Sequence, residues 1–124
     1  MYLNRITLIG FIGSDAERKV INATNIAIFS LATTTSWKND AGTRESRTEW
    51  HRCVAFGELA DFAGTVPKGT HVAIEGELRS HEYQCELAVG TQKTTLIRRA
   101  WDVRADSVLK LDEAATRETS DDNG

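Results

Sequence analysis

The chain has 124 residues, 40% of them hydrophobic, and a formal net charge of −3, which fits one domain with a single core. No apolar run approaches the ~18 residues of a membrane span. Met1-Tyr2-Leu3-Asn4-Arg5 contains no apolar stretch of signal-peptide type, so a cytoplasmic protein is expected.

The charge is unevenly spread. Residues 1–111 carry 14 Lys/Arg against 13 Asp/Glu, a net of +1, and residues 112–124 carry one Arg against five Asp/Glu, a net of −4. A near-neutral body argues against a purely electrostatic ligand and leaves room for one bound by stacking. Cys53 and Cys85 are the only cysteines and have no close Cys neighbours, so reduced thiols are expected rather than a disulfide scaffold.

Residues 3–10 read as the first strand, with Ile6 and Leu8 sharing a face with Gly10. Gly10 and Gly13 bracket Phe11-Ile12, a sign of a strand that bends or bulges rather than stopping. Residues 14–25 are polar and read as a loop or weak hairpin. A second strand is expected over Ile26–Trp37, with Ala27, Phe29 and Leu31 on one face. Lys38 to Arg47 reads as a mobile charged loop, turning at Asn39-Asp40-Ala41-Gly42 and bringing Trp37 and Trp50 to one end of the sheet.

The central strand is Thr48–Gly57. Alternation places Trp50, Arg52, Val54 and Phe56 on one face and His51, Cys53 and Ala55 on the other. Two aromatics around an arginine suit flat π-systems joined by negative charge, as in an unpaired nucleic-acid strand. Core burial of Trp50 and Phe56 is the competing explanation. Trp37 ends a polar Thr/Ser stretch, a poor setting for a core residue.

Beyond Gly57, Leu59, Phe62, Ala63 and Val66 form one apolar helical stripe that Pro67-Lys68-Gly69 stops. Thr70–Ser80 alternates Val72, Ile74, Gly76 and Leu78 inward. Residues 81–97 read as a hairpin arm with Gly90 in its turn, and the last strand as Arg99 to Leu111. Residues 112–124 have almost no apolar content and are expected to form a short acidic disordered tail. The expected fold is all-β: a five-stranded Greek-key OB-fold barrel over residues 1–111. A short helix joins strands 3 and 4 and a hairpin arm joins strands 4 and 5.

At these residues the chain resembles the bacterial single-stranded DNA-binding protein family. The matching pieces are Asn4-Arg5-Ile6, Leu8-Ile9-Gly10, Gly13, Leu31-Ala32-Thr33, Ser36-Trp37, Thr48-Glu49-Trp50-His51-Arg52 and Phe56-Gly57. Leu59-Ala60, Lys68-Gly69, Val72, Ile74-Glu75-Gly76 and Leu78-Arg79 continue the match, which is looser from there to residue 111. The resemblance implies a non-enzymatic protein, usually a homotetramer, that coats single-stranded DNA in replication, recombination and repair. It implies base stacking on Trp37, Trp50 and Phe56, with Tyr83 where the family commonly has a tryptophan. It places Arg5, Arg52, Lys68 and Arg79 near the DNA, with Lys38 as an addition, and His51 at a subunit interface. Glu58, His81 and Glu82 depart from positions that are often basic. The tail ends Asp122-Asn123-Gly124, without the apolar acidic tip that recruits partner proteins in the family.

Other chemistry finds little support. The spacings of His51, His71, His81, Cys53 and Cys85 fit no zinc pattern, so no metal is expected. No base-and-orienter pair is evident around Cys53, and no glycine-rich phosphate loop or other cofactor motif occurs. Trp101 matches no stacking position, and packing or covering a sheet edge is its expected role. A second functional reading is an OB-fold interaction subunit of a replication or restart complex that binds DNA weakly.

Overall fold

The computed structural model describes residues 1–111; the expected acidic tail lies outside the described residues. The elements are β1 (Ile6–Ile12), β2 (Glu17–Ile21), β3 (Thr24–Lys38), β4 (Arg44–Phe56), α1 (Glu58–Ala63), β5 (His71–Val89) and β6 (Gln92–Lys110). The sheet runs β1-β5-β6-β4-β3-β2, and an added β1–β3 pairing closes five of its strands into a barrel. β2 lies outside that ring as a flap on β3. This is the expected all-β OB-fold, with its helix after the third barrel strand.

Closure depends on how β1 changes partner. Its length from Ile6 to Phe11 pairs with β5, and Phe11 and Ile12 also pair with Ala32 and Leu31 of β3. Gly10 sits at this crossing, where a Cβ would collide with the Ala32 carbonyl oxygen, so only glycine allows the backbones to approach this closely. The strand therefore continues past Gly10 to Ile12, two residues beyond its expected end.

Leu31, Cys53, Val72 and Ile74 are fully buried inside the barrel, with Ile12, Phe29, Ala55 and Val103 around them. The helix is shorter than its apolar stripe, and Gly64 caps it. Ala60, Ala63 and Val66 face the core, whereas Phe62 is exposed beneath the Lys110 ammonium. The stripe thus overstates Phe62, and the small Ala60 takes a buried place.

Of the loop or weak hairpin expected over residues 14–25, the structure has the hairpin: Glu17–Ile21 forms a strand, joined to β3 by Asn22-Ala23 with both residues at positive φ, as a tight hairpin turn requires. Two further expectations need correction. Lys38 to Arg47 is not a mobile loop, because Lys38 and Arg44–Arg47 are strand residues and only the turn at Asn39–Thr43 separates them. The Asn39 side chain holds this turn through the backbone N–H groups of Ala41 and Thr43. Leu78 is exposed, since a register shift at Glu75/Gly76 precedes the point where β5 leaves the barrel. Beyond it β5 and β6 continue as the expected arm, paired to Val89↔Gln92, with Gly90 at positive φ in the turn.

Candidate nucleic-acid interface

One face of the barrel collects the predicted residues. In β4, Cys53 and Ala55 point into the core while Trp50, Arg52 and Phe56 stand on the solvent side, as alternation requires. β6 runs parallel to β4 with Val54 opposite Arg104, and antiparallel to β5 with Arg104 opposite Glu77 and Arg98 opposite Tyr83. Residues in register share a face. The surface therefore continues from Trp50, Arg52 and Phe56, across Arg104, Asp102 and Arg98, to Arg79, His81 and Tyr83. Trp50 is 64% exposed, Tyr83 45%, Trp37 42% and Phe56 36%, so core burial does not account for these rings.

Two shallow grooves follow this face. One, of about 370 Å³, is bordered by Ser14, Ser30, Trp50 and Arg52. The other, of about 190 Å³, is bordered by Phe56, Arg79, His81, Asp102 and Arg104. Gly13 lies against the Trp50 indole: a Cβ there would overlap Cζ3 and approach Cε3 to 3.0 Å. The absent side chain is what lets the indole lie across the end of β1.

Trp37 is placed differently. β3 and β4 pair without a break, with Trp50 opposite Ala32 and Trp37 opposite Glu45. Trp37 is thus five residues beyond Ala32, about 17 Å along the ribbon, and on its other face by alternation. The hairpin does join the two tryptophans, but Trp37 stands near the ribbon tip and Trp50 nearer the barrel. Lys38 shares the tip, opposite Arg44.

The basic residues are mostly held by carboxylates. Arg52 Nη1 donates to Asp102 Oδ2 at 2.6 Å, and His81 Nδ1 lies 3.2 Å from the same oxygen. Arg79 Nε donates to Glu77 at 2.6 Å, and Arg5 pairs with Asp106 and Glu75. The Asp106 hydrogen bond raises the Arg5 guanidinium above its ordinary value. Lys68 is in the Pro67–Gly69 turn, its backbone N–H bonded to Asp15. Asp102 is largely buried, and its Oδ1 has no hydrogen-bond partner among the described residues. Burial, helped by the Asp102 charge, pushes the Cys53 thiol up to about 12. Such a thiol stays protonated and is a core residue, not a nucleophile.

His51 takes the other side of β4, half-buried, with Nε2 2.8 Å from Thr33 Oγ1. Trp101 lies across the arm from Ser80, on the face opposite Tyr83 and away from the grooves. Sequence reasoning missed Arg104 and Arg98. Both lie on β6, and only the long-range register brings them onto this face.

The sequence matches the Single-strand binding protein family over residues 3–104. The chain belongs to this family. Among its relatives, a single-stranded DNA-binding protein of Xanthomonas campestris is 39% identical over 97 residues, covering 77% of this chain and 56% of the relative. One of Neisseria meningitidis is 36% identical over 113 residues, covering 90% of this chain and 61% of the relative. The chain thus spans little more than half the length of these relatives. Among solved structures, the single-strand binding protein of Plasmodium falciparum in complex with single-stranded DNA has a TM-score of 0.71 at 24% identity. It covers 90% of this chain and 96% of that one. A Thermus aquaticus single-stranded DNA-binding protein gives 0.68 at 22% identity, covering 88% and 50%. Both support the OB-fold. The family is one of strand-binding proteins rather than enzymes. Among the described residues no helix is long and apolar enough to cross a membrane.

Proposed function

We propose that this chain binds single-stranded DNA without regard to sequence and coats exposed strands in replication, recombination and repair. The observation that carries this reading is the single solvent face on which Trp50, Phe56 and Tyr83 alternate with arginines. Bases stack on those rings, and on Trp37 where the strand passes the ribbon tip. Every base has a π-face, so stacking tolerates any sequence, and thymine-rich strands gain through their flexible backbone. Arg52, Arg79, Arg5, Lys68 and Lys38 meet phosphates. For the three arginines, phosphate oxygens replace Asp102, Glu77 and Asp106 as partners.

The working unit in this reading is a homotetramer. Ile9, Ala73 and Leu109 are in register across β1, β5 and β6, and exposed Ile9, Phe11 and Leu109 form an apolar outer face away from the grooves. His51 serves an interface on its own side of β4. The site of action is the cytoplasm, at the nucleoid.

Tryptophan fluorescence titrated with a long oligothymidylate at low and high salt tests the proposal. Quenching that saturates at a fixed nucleotide ratio supports it. Absence of quenching at low salt refutes it. The carboxylates on the face, Glu77 and Asp102, favour a second reading as an interaction subunit with weak DNA binding. Weak binding that does not vary with salt would select that reading.

A further inference from the structure

Arg104 differs from Arg52, Arg79 and Arg5 in what holds its guanidinium. Arg52, Arg79 and Arg5 are each tied to a carboxylate, whereas Arg104 has no acidic partner among the described residues. Its guanidinium carbon instead lies over the Phe56 ring, 4.3 Å from the centroid. The register fixes this placement: Arg104 is opposite Val54, two residues from Phe56 on the same face of the parallel neighbour. Both residues border the groove that also holds Arg79, His81 and Asp102.

This geometry changes what a nucleotide meets. The guanidinium covers the face of Phe56 toward which it lies. A base arriving there must either displace it or stack on it. A guanidinium is planar and delocalised, and bases stack on it as they do on aromatic rings. It is also a permanent positive charge, free of any carboxylate that a phosphate would have to displace.

We propose that Arg104 is a nucleotide-binding residue: one base stacks on its guanidinium, which Phe56 supports from beneath, and its charge meets the adjoining phosphate. The inference rests on the single-strand reading above. It changes the role of Phe56 from a stacking surface to the floor of a two-layer platform. It also supplies an unpaired positive charge on a face where Arg52 and Arg79 are held by carboxylates.

The test is fluorescence anisotropy of labelled oligothymidylate with the full chain, its Arg104→Ala, Arg104→Lys and Phe56→Ala variants, and Trp50→Ala as reference. In Arg104→Ala the affinity is expected to fall about tenfold, within the range of one lost stack. The log–log salt slope should flatten by about 0.7. Arg104→Lys retains the charge but not the plane, so it should lose most of the same affinity while keeping the slope. Phe56→Ala/Arg104→Ala should bind no more weakly than Arg104→Ala, because the two act as one platform. Wild-type affinity in Arg104→Lys, full additivity in the double variant, or unchanged or tighter binding in Arg104→Ala would each overturn the proposal. If these occur while Trp50→Ala loses affinity, the single-strand reading survives. If the unmodified chain fails to bind, that reading fails first and takes the proposal with it.

Discussion

Gly13→Ala should weaken DNA binding without unfolding the protein. The added Cβ would overlap Cζ3 of Trp50 and lie 3.0 Å from Cε3 and 2.9 Å from Ser30 Oγ. Carbon atoms pack at about 3.5–4.0 Å, so relieving the overlap with Cζ3 requires the indole to withdraw by about 1–1.5 Å. Trp50 is mostly exposed and can do so. The backbone of Gly13 lies outside the positive-φ set, so alanine adds no backbone strain there. The stability cost should therefore stay below about 1 kcal/mol, typical of a surface change. A stacked base contributes about 1–3 kcal/mol, and a tilted or lifted indole should forfeit about 1 kcal/mol of that, roughly a fivefold loss of affinity. Anisotropy titration and thermal melting of the same sample measure the two quantities. Full affinity in Gly13→Ala beside a clear loss in Trp50→Ala would refute the idea that Gly13 positions the indole.

Other expectations follow from particular contacts. Asp102→Asn frees Arg52 from its 2.6 Å carboxylate partner, so the salt slope for oligothymidylate should steepen by about 0.7; an unchanged slope would mean Arg52 meets no phosphate. The Cys53 thiol is held at about 12 against an ordinary 9.0, so its stabilising contribution is complete below pH 9 and is lost as pH rises toward 12. Denaturant unfolding above pH 9 should show this as a loss of at most about 1.4 kcal/mol per pH unit that Cys53→Ala lacks. Ala23 sits at φ 63 in the β2–β3 turn, where glycine avoids the left-handed penalty. Ala23→Gly should raise unfolding stability by up to about 1 kcal/mol in a urea titration, and a decrease would show that the turn is held by something else.

The central face was legible because alternation in β4 is strict and its two sides differ in chemistry: Cys53 and Ala55 against Trp50, Arg52 and Phe56. The arm was legible from Gly90 and the β-prone runs beside it. β2 was legible only as one arm of a weak hairpin, with a loop as the alternative, since all five of its residues are exposed and an edge strand without a buried face has no period of two to read. Lys38 of β3 and Arg44–Arg47 of β4 look like a charged loop for a related reason. Their side chains are polar on both faces, and cross-strand hydrogen bonding alone extends the ribbon beyond the barrel. Phe62 misleads because the helix meets the core through small residues, Ala60 and Ala63, rather than through its largest one. Trp37 and Arg104 depend on register. One lies five residues from the position facing Trp50, and the other is placed by a parallel pairing with Val54, fifty positions away in sequence. No local pattern carries either fact.

Trp50 and Trp101 provide the most direct test, because they are tryptophans on different surfaces. Trp50 lies on the grooved face, and Trp101 is 57% exposed on the reverse of the arm. The measurement is the affinity of Trp50→Ala and Trp101→Ala for the same labelled oligothymidylate at low salt. Strand binding through the β4–β6–β5 face should leave Trp101→Ala near wild type and weaken Trp50→Ala by about 1–3 kcal/mol. Loss in Trp101→Ala with Trp50→Ala unaffected would place the DNA on the opposite surface and contradict the account.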